Sequence, residues 1–353
     1  MAEASRPHGA SPTIATTLAD LTTLRLGGPA GAMVEARSEE ELVGSVVAAE
    51  DAAESLLLVA GGSNLVVGDG GFTGTVVQIL TRGVAVDHDG ADVQVSVAAG
   101  VGWDDFVARA VESGWVGIES LAGIPGSVGA TPIQNVGAYG QEVAETIETV
   151  RVWDRAAREI RVLTAAECRF GYRDSRFKSE PGQHVVLGVT FRFTTGSMSA
   201  PIRYTELART LGVEQGHSAP LADVRRAVLE LRAGKGMVLD PDDHDTWSAG
   251  SFFTNPFLDA GQAETLPDEA PRFPQPDGTV KTSAAWLIEH AGFAKGHGND
   301  RVSLSTKHTL ALTNRGGATT ADLLALAMEV RDGVELEFGI RLVNEPVLVG
   351  CTL

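Results

Sequence analysis

Cysteine is almost absent from this chain: two residues, Cys168 and Cys351, in 353. They lie far apart and match no metal-ligand spacing, which excludes a disulfide framework and fits a reducing compartment. Basic charge is scarce too. Against 46 acidic residues stand 28 basic ones, a formal charge of −18, and such a surface repels the phosphates of nucleic acids and anionic membranes. Any phosphate site has to be local. No apolar run approaches the length of a bilayer-spanning helix, and residues Met1 to Pro12 lack the apolar stretch of a secretory signal. A cytoplasmic location is therefore expected, with no nucleic acid and no membrane as partner. There is no Gly-x-Gly-x-x-Gly linking an early strand to a long helix, which excludes a doubly wound dinucleotide domain. No Gly-x-Ser-x-Gly elbow or His-Glu-x-x-His pair occurs, and none of the eight histidines falls at another recognised ligand spacing. No metal is expected.

What the chain does have is glycine, 41 residues of it. Residues 117–142 carry six glycines (Gly117, Gly123, Gly126, Gly129, Gly137, Gly140) and two prolines (Pro125, Pro132) among small residues. A backbone of that kind turns sharply and shows its own N–H groups, which can converge on the oxygens of an anion. Loops this long are uncommon in compact domains unless they serve a function. A second turn, Gly61-Gly62-Ser63-Asn64, follows the apolar run Leu56 to Ala60 and permits the same close approach.

Ser38 and Glu41 hold the spacing of a capping box, predicting a helix to about Glu50, and Thr164 with Glu167 repeats it for a short helix. Val76–Leu80, Val93 to Val97 and Val185–Phe193 have the composition or alternation of strands, and Val150–Trp153 with Glu159–Leu163 predicts a hairpin. Helices are expected at Asp104–Glu112, Thr205–Leu211, Leu221–Leu231, Ala284–His290 and Thr320–Val334. Further strands are expected at His308–Thr313 and Leu342–Val349. Strands come in hairpin-like clusters, so the class is α+β. The length suggests two or three domains, with a transition in the Thr-, Ser-, Gly- and Pro-rich stretch 194–220.

Three constellations could carry chemistry. In Gly-Tyr-Arg-Asp-Ser-Arg-Phe-Lys, residues 171–178, Arg173 can hold a carboxylate bidentately or pair with Asp174 or another carboxylate on a solvated face. In Gly-Ser-Phe-Phe-Thr-Asn-Pro, residues 250–256, Ser251 stands beside apolar walls, as a proton donor or as an ordinary turn serine. Glu345 lies in an apolar strand. Burial would raise its pKa and suit it to acid–base work, whereas strand alternation could equally turn it to water.

Taken in order, Thr23 to Ala30, Gly61 to Leu65, Ala122 to Gly129, Tyr172 to Lys178, Gly250 to Pro256 and the Glu345 segment resemble one family, the UDP-N-acetylenolpyruvoylglucosamine reductases of peptidoglycan synthesis. The resemblance runs from about residue 22 to 350. It implies an FAD-binding domain of the vanillyl-alcohol-oxidase type, built of two α+β subdomains, plus a C-terminal α+β substrate domain. The corresponding boundaries are a tail at 1–20, subdomains at 21–80 and 81–220, and the substrate domain at 221–353.

The same resemblance implies non-covalent FAD, NADPH as hydride donor and the enolpyruvyl UDP-sugar as substrate, reduced to the lactyl ether of UDP-N-acetylmuramate. Gly61, Gly62, Ser63, Asn64 and Leu65 would hold the FAD pyrophosphate with Gly123, Ile124, Ser127 and Gly129, while Asn135, Gly137 and Ala138 line the flavin. Arg173 and Glu345 would stabilise an enolate-like species and Ser251 would protonate it. Tyr139, Tyr204, Lys235, Asn255 and His290 would contact the substrate, Tyr204 and the run Gln134 to Gly140 marking the subgroup with a closing tyrosine loop. The chain departs from the pattern in residues inserted between Lys235 and Ser251, in His290 where many relatives have glutamine, and in Pro346 after the glutamate. The competing readings are another FAD-dependent oxidoreductase of the same fold and a non-catalytic FAD-binding protein. The first predicts the glycine turns without the Arg173, Ser251 and Glu345 set.

Overall fold

The Glu41 amide donates to the Ser38 hydroxyl and the Ser38 amide donates back to the Glu41 carboxylate, so the capping box read from the sequence does start a helix. In the computed structural model, which describes residues 17–90 and 92–353, that helix is α1 (Glu39–Asp51), between β1 (Ala30–Ala36) and β2 (Leu56–Val59). The expected tail lies for the most part outside the described residues. β3 (Leu65–Val67) and β4 (Phe72–Ile79) follow, and β1, β4 and β2 form a parallel sheet in that order. Leu42 and Val46 of α1 are fully buried with Ala36 and Val77 of this sheet. Val185 and Leu187 of the next sheet join the same cluster and lock the two layers together.

The second layer is antiparallel. It contains β5 (Val84–Asp89), β6 (Asp92–Ala98), α2 (Trp103–Glu112), β7 (Trp115–Val116), β8 (Gly137–Ala138), β9 (Gln141–Glu142), β10 (Ile147–Asp154), β11 (Glu159–Thr164), α3 (Ala165–Cys168), α4 (Arg176–Ser179), β12 (His184–Thr195), α5 (Thr205–Leu211) and α6 (Leu221–Gly234). Its main sheet runs β11-β10-β12-β6-β5, with β7 on β12. Period-2 alternation sends Val93, Val95 and Val97 inward beside Phe191 and Phe193, where Trp103, Phe106 and Trp115 meet them. Each such side chain, fully buried, contributes about 1.5–3 kcal/mol. Helix α6, which opens the segment 221–353, packs Val224, Ala227 and Val228 into this same core.

The last part contains β13 (Phe257–Leu258), α7 (Ala260–Thr265), β14 (Phe273–Pro274), β15 (Val280–Lys281), α8 (Ala284–His290), β16 (Val302–Leu304), β17 (Leu312–Asn314), α9 (Thr320–Phe338) and β18 (Val347–Val349). Its core also takes in Leu24, Leu26 and Val66 from the start of the chain. β18 pairs in parallel with β3, Val347 opposite Leu65. α9 starts at a Thr319–Asp322 capping box, and Asp69 adds to it, its carboxylate accepting the amides of Thr320 and Ala321 at 2.7 and 3.0 Å. Both ends of the described chain are thus stitched together next to the turn at 61–65. Among the described residues no helix is long and apolar enough to cross a membrane.

Two strand expectations are corrected. The run 308–313 starts as a turn, because the Ala311 amide donates to the His308 carbonyl and the Leu310 amide to His308 Nδ1; the strand is Leu312–Asn314, paired with a strand at 302–304 that the sequence reading missed. The run 342–349 is a strand only at Val347–Val349. Pro346 has no N–H to give a ladder, and the Asn344 side chain folds over to donate to the Pro346 carbonyl. Glu345 therefore lies outside the strand in which it was expected.

Candidate active site

The turn that links β2 to β3 lies directly against loop 123–129. The Ser63 hydroxyl donates to the Pro125 carbonyl at 3.0 Å, and a Cβ on Gly61 would stand 2.7 Å from the Gly126 Cα. Two backbones touch here, which only glycine allows. The amides of the loop divide into two sets. Gly123 donates to the Asp104 carboxylate at 2.7 Å, Val128 to the Val101 carbonyl and Gly129 to the Ala99 carbonyl, both at 2.9 Å. These three face the protein, so the cradle is narrower than the run of glycines implied. The amides of Gly62, Ser63, Asn64, Ile124, Gly126 and Ser127 have no acceptor among the described residues. The Ser127 hydroxyl is buried without a partner; leaving such a group unsatisfied costs about 1–3 kcal/mol, which a ligand oxygen would recover. A narrow channel of amides, an orphaned hydroxyl and a contact that a Cβ would fill fit the pyrophosphate of a dinucleotide cofactor.

Arg173 sits in a turn closed by reciprocal backbone hydrogen bonds between Gly171 and Asp174, with φ at +53°. That conformation aims its side chain across β8. The guanidinium donates to the Gly137 carbonyl at 2.6 Å and to the Asn135 carbonyl at 3.4 Å, and its Nε lies 3.4 Å from Glu345 Oε1. Of the alternatives open from sequence, the ion pair is the one observed, but with Glu345 and in partial burial, not with Asp174 on a solvated face. Gln134 Nε2 donates to the same Glu345 oxygen at 3.2 Å, and Gln134 Oε1 accepts from Asn64 Nδ2 at 3.0 Å. A continuous line of polar contacts therefore runs from the 61–65 turn to the Arg173–Glu345 pair. Burial pushes the Glu345 carboxyl above its usual range, opposed by the charges of Arg173 and Lys178.

Ser251 follows Gly250, whose φ is +74°, and precedes the fully buried pair Phe252 and Phe253. The segment runs antiparallel to 343–345: the Glu345 amide donates to the Phe252 carbonyl at 2.8 Å, Phe253 bridges Asn344, and the Thr254 amide donates to the Val343 carbonyl at 3.0 Å. That register carries Ser251 to the Glu345–Pro346 end. Asn135 is buried with φ at +45°. Its side chain donates to Glu142 at 2.7 Å and to the Gly171 carbonyl at 3.0 Å, and accepts the Ala144 amide at 3.1 Å. Asn135 thus holds the floor under Arg173 with a side chain that is fully committed. Gly137 and Ala138 form β8 beside it.

Tyr139 meets Tyr204 edge to face at 5.4 Å, and the Lys235 ammonium lies 5.6 Å from the Tyr139 ring and 2.5 Å from Glu206. Tyr204 is 43% exposed at the head of α5. Asn255 accepts the Ala284 amide at 2.9 Å and fixes the start of α8. His290, at the other end of α8, is exposed; its ring stacks on Trp286 at 3.8 Å and its Nδ1 lies 2.8 Å from the Trp286 carbonyl. Its contacts are with its own helix.

Two further residues escaped the sequence reading. Arg232 is half-buried against Gly123, donates to the Met237 carbonyl at 2.9 Å and leaves its Nε buried without a partner; desolvation lowers its pKa to about 10. Standing three residues before Lys235, it was legible as a second cation on one helix face. His308 is held neutral by burial, its pKa lowered to about 4 with Lys235 and Lys295 nearby, and no spacing signals it. The residues inserted before Ser251 form a strap. Asp245, 4% exposed, accepts the Thr306 amide at 3.1 Å, the Thr306 hydroxyl and Arg315 at 2.8 Å. The Ser248 carbonyl accepts the Thr23 hydroxyl at 2.7 Å.

A parallel α/β layer, an antiparallel sheet and an amide channel between them are the build of a flavin-binding enzyme, and residues 30–163 match the family model of an FAD binding domain. Residues 240–349 match that of the UDP-N-acetylenolpyruvoylglucosamine reductase C-terminal domain. The UDP-N-acetylenolpyruvoylglucosamine reductase of Thermobifida fusca is 58% identical over 347 residues, 95% of this chain and 97% of its own. Those of Streptomyces coelicolor and Cutibacterium acnes are 56% and 55% identical over 95% of this chain and 90% of theirs. The crystal structure of the Thermus caldophilus enzyme of that name superposes with a TM-score of 0.64 at 26% identity, over 95% of this chain and 97% of that one. The chain belongs to the UDP-N-acetylenolpyruvoylglucosamine reductase family.

Proposed function

We propose that this chain reduces the enolpyruvyl group of UDP-N-acetylglucosamine enolpyruvate to the lactyl ether of UDP-N-acetylmuramate, a peptidoglycan precursor, in the cytoplasm and at the expense of NADPH. The observation that carries the reading is the meeting of Arg173, Glu345 and the Ser251 segment, from three distant parts of the chain, at the end of a polar line that starts in the amide channel. The channel residues Gly61 to Leu65, Ile124, Gly126 and Ser127 would hold FAD, which supplies the relay of hydride from NADPH to the terminal vinyl carbon.

Reduction at that carbon leaves negative charge on its neighbour and on the attached carboxylate. Arg173, fixed by two backbone carbonyls, orients the carboxylate and stabilises the charge that develops on it. Glu345, paired with Arg173 and with its carboxyl pushed above its usual range by burial, is placed to stabilise the same group by hydrogen bonding. Ser251 delivers the proton to the carbon. Tyr139, Tyr204, Lys235 and Asn255 hold the diphosphate and sugar, and Tyr204 excludes water as it closes over them. The test is direct. The purified protein should be yellow, bleach with NADPH under anaerobic conditions and recover its colour on addition of the enolpyruvyl UDP-sugar. Absence of flavin would overturn the flavoenzyme reading, and bleaching without recovery would overturn the substrate.

A further inference from the structure

Lys281 is half-buried on β15, the central strand of a three-stranded sheet, where its backbone pairs with Phe257 and Phe273. Its ammonium lies 3.3 Å from the centroid of the Tyr172 ring and 5.8 Å from that of Phe257. Tyr172 packs edge to face on Phe257 at 5.6 Å, and the Arg173 guanidinium stands 5.6 Å from the same Tyr172 ring. No carboxylate among the described residues lies within 4 Å of Lys281, and it makes no hydrogen bond among them. Lys235, by contrast, is paired with Glu206, Lys307 with Asp243, and Lys178 donates to the Arg173 carbonyl. A half-buried ammonium that forgoes carboxylates for an aromatic face has a specific partner in that face.

The partner is the residue before Arg173. Tyr172 belongs to the turn that gives Arg173 its left-handed backbone, and both side chains reach the C-terminal part of the chain: the guanidinium meets Glu345, and the ring is received by Lys281, Phe257 and Asn255. We propose that Lys281 is a positioning residue for Arg173: by seating the Tyr172 ring it sets the turn from which the guanidinium reaches the Gly137 carbonyl and Glu345. Its charge also adds to that of Arg173 at the place where an anionic group arrives, and Glu142 is the acidic residue that faces it. Removing the ammonium lets the ring, and with it the turn, take other arrangements, so the cost falls on the step that uses Arg173. This inference rests on the proposed reaction for its kinetic readout and on Tyr172 alone for its structural one.

The chain has three tyrosines, so the ring resonances of the flavin-loaded protein, labelled with 13C-tyrosine, report Tyr172 without any substrate. Lys281→Met is expected to shift or broaden the Tyr172 signal and leave those of Tyr139 and Tyr204 in place. Flavin bleaching by NADPH should stay within about twofold, while recovery of colour with the enolpyruvyl UDP-sugar slows about tenfold or more. Lys281→Arg, which keeps the cation on the ring, should restore most of both readouts. An unchanged Tyr172 signal in Lys281→Met would overturn the seating. Equal slowing of both half-reactions with a lowered unfolding midpoint, and no rescue by arginine, would overturn the positioning role in favour of general stability. Wild-type protein that is not re-coloured by the sugar nucleotide would remove the proposed reaction, while the Tyr172 signal would still decide whether Lys281 seats the ring.

Discussion

A serine that gives one proton, late, should be silent until it is needed. Ser251→Ala is expected to bleach with NADPH as fast as wild type and to recover its colour on the order of 10²–10³ more slowly, measured by stopped-flow absorbance on each half separately. Glu345 has a different signature because its carboxyl is raised. Between its value in the unfolded chain and that in the folded one, the folded state holds a proton the unfolded chain has released, so stability falls as pH rises through that window. Glu345→Gln removes the loss. In urea unfolding the variant should therefore gain on wild type as pH rises from about 4 towards neutrality, and a constant difference would rule the buried carboxyl out. At this scale the sequence was informative about residue types and silent about partners. Arg173 and Glu345 stand 172 positions apart, and nothing local says that a turn at 171–174 and an interrupted strand before Val347 will face each other. Asn135 shows the same limit. Its polar side chain, expected at the flavin, is spent entirely on shaping the floor beneath Arg173.

Elements with their own start signals were readable in advance, and those without were not. The capping boxes at Ser38 and Thr164 begin helices as their spacing implies, because the signal and the structure are the same hydrogen bonds. Short strands such as Val302–Leu304 have no such signal and exist because Leu312–Asn314 is there to pair with them. The glycine turn at 61–65 lies between these cases: its flexibility was legible, and its contact with Gly126 was not. Gly61→Ala forces the two backbones apart by placing a Cβ 2.7 Å from Gly126 Cα. The expected outcome is a folded protein that purifies with little flavin, seen as a low ratio of visible to ultraviolet absorbance. Gly44, on α1, has nothing within 4 Å of an added Cβ. Gly44→Ala should keep its colour and gain up to about 1 kcal/mol, so it serves as the matched control.

Across the whole molecule, cores do not respect the order of the chain. Leu24, Leu26 and Val66 are buried with α8 and α9, and α6 is buried with the second sheet. The architecture of two FAD-binding subdomains and a C-terminal domain was legible through the family resemblance, whereas the shift in residue usage at 194–220 does not mark where one core ends, since Phe193 before it and Val224 after it are buried in the same core. Asp69 makes the interlock testable. It accepts the first two amides of α9 across some 250 positions of sequence, and loss of capping hydrogen bonds costs about 0.5–2 kcal/mol. Asp69→Ala should lower the unfolding midpoint and raise the rate of limited proteolysis near residues 316–320, with less effect on Ser38→Ala-like local unfolding of α1. Unchanged proteolysis there would mean that the Thr319–Asp322 capping box and the apolar face hold the start of α9 without Asp69. The pairing of β18 with β3 has a consequence in time as well as in space. Val347 hydrogen-bonds to Asn64 in the cofactor turn, so a growing chain can have made its whole flavin-binding half and still lack the strand that fixes that turn. Contacts so distant in sequence form late, and the reaction centre is thus withheld until residues 345–349 have been made and have reached the turn.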